Sequence, residues 1–212
     1  MPLTHDVTHA EVAIPALAAS GAPISLPGRL SIPDTPLGLV LFAHGSGSSR
    51  LSPRNEFVAS VLHESWIGTL LFDLLTVQEA NDRANVFDIS LLADRLVDAI
   101  RFVTGHEQTA SLPLGLFGAS TGAAAALVAA AREPRVRAVV SRGGRPDLAG
   151  ASLKRVHAPT LLIVGAHDEE VLMLNRAAAA DLGGEHRLAV VPGATHLFEE
   201  PGTLEEIGRA HV

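Results

Sequence analysis

Apolar and polar positions alternate at the start of this chain and then stop alternating. Residues 10–18 and 23–32 keep a two-residue rhythm broken by glycine and proline, the pattern of an antiparallel pair of edge strands. From residue 38 the rhythm gives way to short unbroken apolar runs at 38–43, 68–72, 114–117, 136–140, 160–164 and 188–191. Runs of that length suit strands buried on both faces of a parallel sheet. Helical spacing fills the gaps. It is clearest over residues 88–103, where Ile89, Leu92, Leu96, Val97, Ile100 and Val103 recur on one side while Asp94, Arg95, Asp98 and Arg101 hold the other. Residues 55–63, 120–131, 169–182 and 203–209 complete the helices. Alternating β and α after an antiparallel start predicts a three-layer α/β domain, with helices on both faces of a mostly parallel sheet.

No repeat, linker or low-complexity segment divides residues 1–212, so one domain is expected. Pro159 and Gly183-Gly184 read as turns. The alanine-rich stretch 123–131 reads as a helix lying close to its sheet, because alanine is the best helix former and its small side chain permits close approach.

Composition removes several functions. Hydrophobic residues make up 47% and charged residues 18% of the 212, with a net charge of -7, which is globular and carries no disorder signature. Of 16 Lys and Arg residues only Lys154 is lysine, and the arginines are scattered, so no nucleic-acid footprint is present. With no cysteine there is no disulfide, no thiolate metal site and no cysteine nucleophile. The first residues lack a basic segment followed by an apolar one, and no apolar run approaches a membrane span. A soluble, cytoplasmic protein is the expectation, either monomer or homodimer.

The chemistry sits in Gly118-Ala119-Ser120-Thr121-Gly122, between the apolar run ending at Phe117 and the alanine-rich helix. A serine on a sharp strand-to-helix turn has its hydroxyl lifted clear of the sheet, and flanking glycines allow the turn without Cβ clashes. The helix N-terminus beneath it offers unpaired N–H groups to an oxyanion. A serine hydroxyl is a weak nucleophile, so Ser120 needs a base, and the base needs an orienting acid. Ala166-His167-Asp168-Glu169 follows one later strand and Pro192-Gly193-Ala194-Thr195-His196 follows the last. The order is Ser, Asp, His.

These stretches, with 44–50, 70–76, 141–147 and 193–200, resemble the α/β-hydrolases, and among them the small dienelactone-hydrolase-like esterases. The likeness spans nearly the whole chain. It implies the three-layer α/β-hydrolase fold without a lid domain, and hydrolysis of an ester or lactone with no cofactor and no metal. It also assigns Ser120 as nucleophile, His196 as general base and Asp168 as the acid that holds the imidazole. The oxyanion hole would be the backbone N–H groups of Ser46 and Thr121, whose side chains are expected to matter less. Dienelactone hydrolases carry cysteine at the elbow where this chain has Ser120, so dienelactone itself is not expected as substrate.

Rival readings stay open at several positions. Asp168 also fits a helix cap, and Asp147 is the competing acid. His44 is expected to brace its loop, with substrate contact as the other reading, while His157, His167 and His186 read as surface or structural. Asp73 reads as a loop tie. Arg142 and Arg145 read either as solvated or as a guanidinium fork for a substrate carboxylate, with Arg50 and Arg54 as further candidates. Phe198 and Trp66 read as core or pocket wall. The short connection 141–159 predicts an open, shallow pocket suited to short-chain esters, and the early end of the last helix predicts uncovered sheet surface. The expected reaction is therefore a serine carboxylesterase acting on a small ester, with lactonase and thioesterase as the nearest rivals. A non-catalytic small-molecule binding protein on the same fold is the rival from another class.

Overall fold

Eight strands pair into one sheet in the order β1-β2-β4-β3-β5-β6-β7-β8. A computed structural model describes residues 6–18 and 20–210; the expectations placed on residues 1–5 and 211–212 lie outside them. β1 (Val7–Leu17) and β2 (Pro23–Pro33) form the antiparallel pair, in register from Val7↔Pro33 to Leu17↔Pro23. β2 also lies antiparallel to β4 (Ile67–Phe72). The remaining strands run parallel: β3 (Gly38–Ala43), β5 (Leu114–Ala119), β6 (Val136–Arg142), β7 (Thr160–Gly165) and β8 (His186–Val191). Each unbroken apolar run falls in one of the strands from β3 on; of these the edge strand β8 departs from the expected burial, with only Val191 buried.

Two cores sit on opposite faces of the sheet. On one, α4 (Ile89–Gly105) and α5 (Thr121–Arg132) pack with Leu41, Leu70, Leu96, Ile100 and Leu116. On the other, α1 (Pro53–Glu64) and α7 (Thr203–Ala210) contact each other over Phe42, Phe117, Ile163 and Phe198. The alanine run explains itself in this setting. α5 is buried from Thr121 to Ala130, held between the sheet, α4 and a 3₁₀ segment over Pro146–Arg155. Only small side chains admit backbone that close on several sides. α6 (Glu169–Ala179) covers β7 and β8.

The parallel strands share a direction, so the turns after β3, β5, β6, β7 and β8 gather along one edge of the sheet. That is where ligands meet open α/β sheets.

The structure adds what the hydrophobic pattern did not predict. Two short helices, α2 (Val77–Ala80) and α3 (Arg83–Phe87), lie between β4 and α4. Thr76 caps α2 reciprocally with Glu79. Arg95, expected on the outer face of α4, is 1% exposed. It extends inward to Glu79 Oε1 at 2.7 Å and to the Leu17 carbonyl, joining α4, α2 and the end of β1. A residue at polar spacing is thus an interior post. An apolar groove of about 460 Å³ runs across β3, β5, β6 and β7 beside α1, lined by Val40, Leu62, Ile67, Val140 and Leu161. Among the described residues, no helix is long and apolar enough to cross a membrane.

Removing one partner of a buried ion pair leaves an uncompensated charge, which costs about 3–5 kcal/mol. Glu79→Ala is therefore expected to lower the urea midpoint by that equivalent, and Glu79→Ala with Arg95→Met to recover most of it. A double variant no more stable than Glu79→Ala would remove the ion pair from this role.

Candidate active site

Ser120 sits where β5 turns into α5, with φ 51° and ψ -120°. A non-glycine residue in that region is strained and is held there only by its surroundings. The surroundings are explicit. Ser120 N–H donates to the Arg142 carbonyl at 3.3 Å, and Arg145 N–H donates to the Ser120 carbonyl at 3.1 Å, so the elbow is stitched to the end of β6. The two glycines are required by close approach. A Cβ on Gly118 would lie 2.4 Å from Ala123 Cα, and one on Gly122 would lie 2.2 Å from the Ala43 carbonyl oxygen. Although Ser120 stands at the cap position of α5, its side chain makes no cap bond.

Asp168 and His196 meet. The imidazole Nδ1 lies 2.6 Å from Asp168 Oδ2. Asp168 also occupies the cap position of α6, but its side chain makes no capping bond; the carboxylate is turned to His196 instead. Their loops are tied together, with Ala166 N–H donating to the Val191 carbonyl and His167 N–H to the Ala194 carbonyl, both at 2.9 Å. Glu200 closes the His196 turn by accepting from Thr195 Oγ1 at 2.6 Å and from Thr195 N–H at 3.1 Å. Those bonds hold its carboxyl below the usual range. Ser120 and His196 line one cavity of about 230 Å³. No direct hydrogen bond joins them, a common state before substrate tightens such a site.

Asp147, the competing acid, is placed elsewhere. Arg145 grips it with two bonds, Nε to Oδ1 at 2.9 Å and Nη2 to Oδ2 at 2.7 Å. This pairing raises the Arg145 pKa and consumes the fork that was a candidate for substrate. Arg145 does not line the serine cavity.

The loop after β3 is braced from below. His44 Nε2 accepts from Leu74 N–H at 3.1 Å, which leaves Nδ1 to donate to the Gly45 carbonyl at 3.0 Å. Burial lowers its pKa, against the Gly45 bond and Asp73, and a neutral ring fits both bonds. His44 therefore spends its two nitrogens on the loop, while its ring lines a cavity beside it. Asp73 ties the same loop, accepting from Arg50 N–H at 2.7 Å and pairing with its guanidinium at 2.9 Å. Ser46 N–H donates to Thr121 Oγ1 at 3.0 Å. The Thr121 hydroxyl, expected to matter less than its amide, thus holds one candidate oxyanion donor against the elbow that carries the other.

Arg142 ends β6 and is 6% exposed. Its Nη2 lies 3.5 Å from Asn55 Oδ1, its guanidinium carbon 5.8 Å from the centre of the Phe198 ring, and its Nε has no partner. Burial and the neighbouring Arg54 lower its pKa to about 10. Asn55 is 2% exposed and was not singled out by sequence, since an asparagine in the first turn of a helix looks like any other. Phe198 is core, at φ 56°. His157, His167 and His186 are exposed. Among the described residues no cluster of His, Cys, Asp and Glu could hold a metal ion.

A second cavity of about 470 Å³ lies on the other side of the oxyanion loop, reaching Ser46 and Thr121 and walled by Leu74, Leu75, Val86, Phe87 and Leu92. Its cover comes from α2 and α3, not from the 141–159 connection.

Comparison with known proteins gives one picture. The family model described as an alpha/beta hydrolase domain matches residues 37–208. A dienelactone hydrolase structure from Anabaena variabilis superposes with a TM-score of 0.91 at 49% identity, covering 98% of this chain and 96% of that one. A Butyrivibrio proteoclasticus protein with ferulic acid bound has the same fold, with a TM-score of 0.76 at 17% identity over 94% and 95% of the two chains. A protein of Mycobacterium tuberculosis whose provisional name is phosphoribosyl transferase is 62% identical over 189 residues. That match takes in 88% of this chain but 42% of the relative, so the chain spans less than half the length of the curated relatives it matches.

The elbow generates its own test. Gly122→Ala places a methyl against the Ala43 carbonyl, and overpacking of this kind costs typically about 1–3 kcal/mol or more. A lowered melting temperature together with lost reactivity of Ser120 toward a fluorophosphonate is expected. Wild-type labelling in Gly122→Ala would show that the close approach is dispensable.

Proposed function

The chain belongs to the α/β-hydrolase family, and we propose that it works there as a serine carboxylesterase on small, short-chain acyl esters. The observation that carries the reading is the Asp168 carboxylate, which leaves its helix-cap position uncapped and instead lies 2.6 Å from His196 Nδ1. That bond fixes one tautomer: Nδ1 keeps its proton, and Nε2 is free to accept one.

The steps follow from these positions. Ser120 Oγ attacks the ester carbonyl as His196 Nε2 takes its proton, and Asp168 stabilises the imidazolium. The developing oxyanion is held by Thr121 N–H, the first amide of α5, and by Ser46 N–H, which gives up or shares its bond to Thr121 Oγ1 as the oxyanion forms. His196 returns the proton to the leaving alcohol, and the acyl group remains on Ser120 until water, activated by the same imidazole, releases it. No cofactor enters this scheme. Lactone and thioester hydrolysis use the same groups and differ in pocket fit alone. The dienelactone-hydrolase and phosphoribosyl-transferase names belong to the relatives that bear them. We carry over neither substrate: the elbow is serine, and the second name is given to chains this one covers only in part.

The experiment is hydrolysis of p-nitrophenyl acetate, butyrate and octanoate by wild type and Ser120→Ala. Turnover of the two shorter esters, weaker on octanoate and lower by about a thousandfold or more in Ser120→Ala, is expected. Equal rates in wild type and Ser120→Ala would move the chain to a binding role. A second variant tests the hydroxyl brace: Thr121→Val is expected to lower kcat about tenfold with KM little changed, and Thr121→Ser to restore it. A higher kcat in Thr121→Val would mean that the hydroxyl competes with the oxyanion for the Ser46 amide.

A further inference from the structure

Asn175 stands in the middle of α6 and is fully buried. Its amide nitrogen donates one hydrogen to the Val171 carbonyl of its own helix at 2.8 Å and the other, across the interface, to the Gly144 carbonyl at 2.9 Å. Turning the amide over would set Oδ1 against two carbonyl oxygens, so its orientation is fixed by its surroundings. Oδ1 itself has no hydrogen-bond partner among the described residues. A buried amide with one end unpaired is an expensive way to fill a core position that leucine, with the same branching, would also fill. What asparagine adds is a hold on Gly144, whose backbone is buried and whose carbonyl needs a donor.

Gly144 is a junction. A Cβ there would lie 2.6 Å from Ala123 Cβ, so its backbone rests on the first turn of α5, while its carbonyl faces α6. Ser120 stands at the start of α5 and Asp168 at the start of α6, so the helices that follow nucleophile and acid meet at this one peptide. The residues before and after it reach the rest of the triad. The Arg142 carbonyl and the Arg145 N–H bracket Ser120 at 3.3 and 3.1 Å. Gly143, at φ 50°, passes so close to His196 that a Cβ would lie 3.0 Å from its carbonyl oxygen and 3.6 Å from Nδ1. Its N–H donates at 2.7 Å to the carbonyl of Ile163, on the strand that leads to Asp168. The turn 142–145 therefore bonds to Ser120, packs against His196 and is tied by Asn175 to the helix that begins beyond Asp168.

We propose that Asn175 is a positioning residue for the triad: through the Gly144 carbonyl it sets the spacing between the elbow and the Asp168–His196 pair. The proposal rests on the serine-hydrolase reading above. Ser120 and His196 line one cavity without a direct hydrogen bond, so attack depends on how closely that spacing is held. Without the Nδ2 donor, the Gly144 carbonyl is left buried and unpaired. The turn then shifts and carries Ser120 with it, while Asp168 stays with α6; a misplacement of about 1 Å costs on the order of a hundredfold in rate. Asn175 touches neither the reacting atoms nor the cavity that holds them, so its loss acts on the serine step and not on substrate binding.

The test is the rate at which a fluorophosphonate labels Ser120, a reaction that needs the triad whatever the natural substrate is. The labelled amplitude counts folded protein, and the rate constant reports alignment within it. Asn175→Leu removes the donors and fills their space; Asn175→Ala removes them and leaves it empty, and gives the readout if the leucine variant does not fold. Both are expected to lower the rate constant about tenfold or more, and kcat on p-nitrophenyl butyrate by the same factor with KM little changed. Ala178→Gly, also buried and one turn further along α6, is the comparison: it weakens the helix and lowers Tm, yet is expected to keep the wild-type rate constant. A wild-type rate constant in either Asn175 variant, insolubility of both, or an equal loss in Ala178→Gly would overturn the proposal and make Asn175 an ordinary core residue. A wild type that labels but leaves p-nitrophenyl butyrate untouched would overturn the esterase reading alone. A wild type that does not label would overturn both.

Discussion

The approach of α5 to the loop after β3 is the constraint on which the rest of the site depends. Gly122 lies so near the Ala43 carbonyl that a methyl there would be 2.2 Å from its oxygen. That contact brings the first amide of α5 against the loop carrying Ser46, and it lets Thr121 Oγ1 capture the Ser46 N–H. It also compels the chain to reverse within the elbow, which is why Ser120 takes a positive φ and lifts its hydroxyl off the sheet. Ser120 and the proposed oxyanion donors are therefore not separately positioned. One close packing contact sets both, and α5 can make it because eight of its twelve residues are alanine or glycine.

A second arrangement holds the loops in place. The turns after β3, β4 and β8 are fixed by polar groups: His44 between Leu74 N–H and the Gly45 carbonyl, Asp73 on Arg50, and Glu200 on Thr195. Such local bonds let loops carry chemistry with the precision of the strands that feed them. Arg95 does the same at a distance, fastening α2 over the apolar cavity through Glu79. One wall of that cavity is thereby joined to α4 and to the end of β1.

Much of this was legible in the chain. Unbroken apolar runs against alternating ones gave the parallel strands and the antiparallel pair, because burial on two faces and on one leave different periods. The elbow and the order of Ser120, Asp168 and His196 were legible because the chemistry needs specific residue types after specific strands. Where reading fell short, the cause was three-dimensional. α2 and α3 are too short to show a period, although Thr76 and Glu79 carry the spacing of a capping box. Arg95 follows the polar spacing of α4, and nothing local says that a carboxylate waits inside. Asp147 and Asp168 both follow strands, and only the location of Arg145 shows which one is already engaged.

Arg142 brings stability and function into conflict. Its neighbour Arg145 has a carboxylate two residues away and uses it, while Arg142 stays buried with an amide oxygen at 3.5 Å, an aromatic face and an unpartnered Nε. A chain selected for stability alone would place a leucine or methionine at the end of β6, since well-packed apolar residues replace buried charges at no loss. Retaining an arginine there places it, with Arg54, in the same cavity as Ser120.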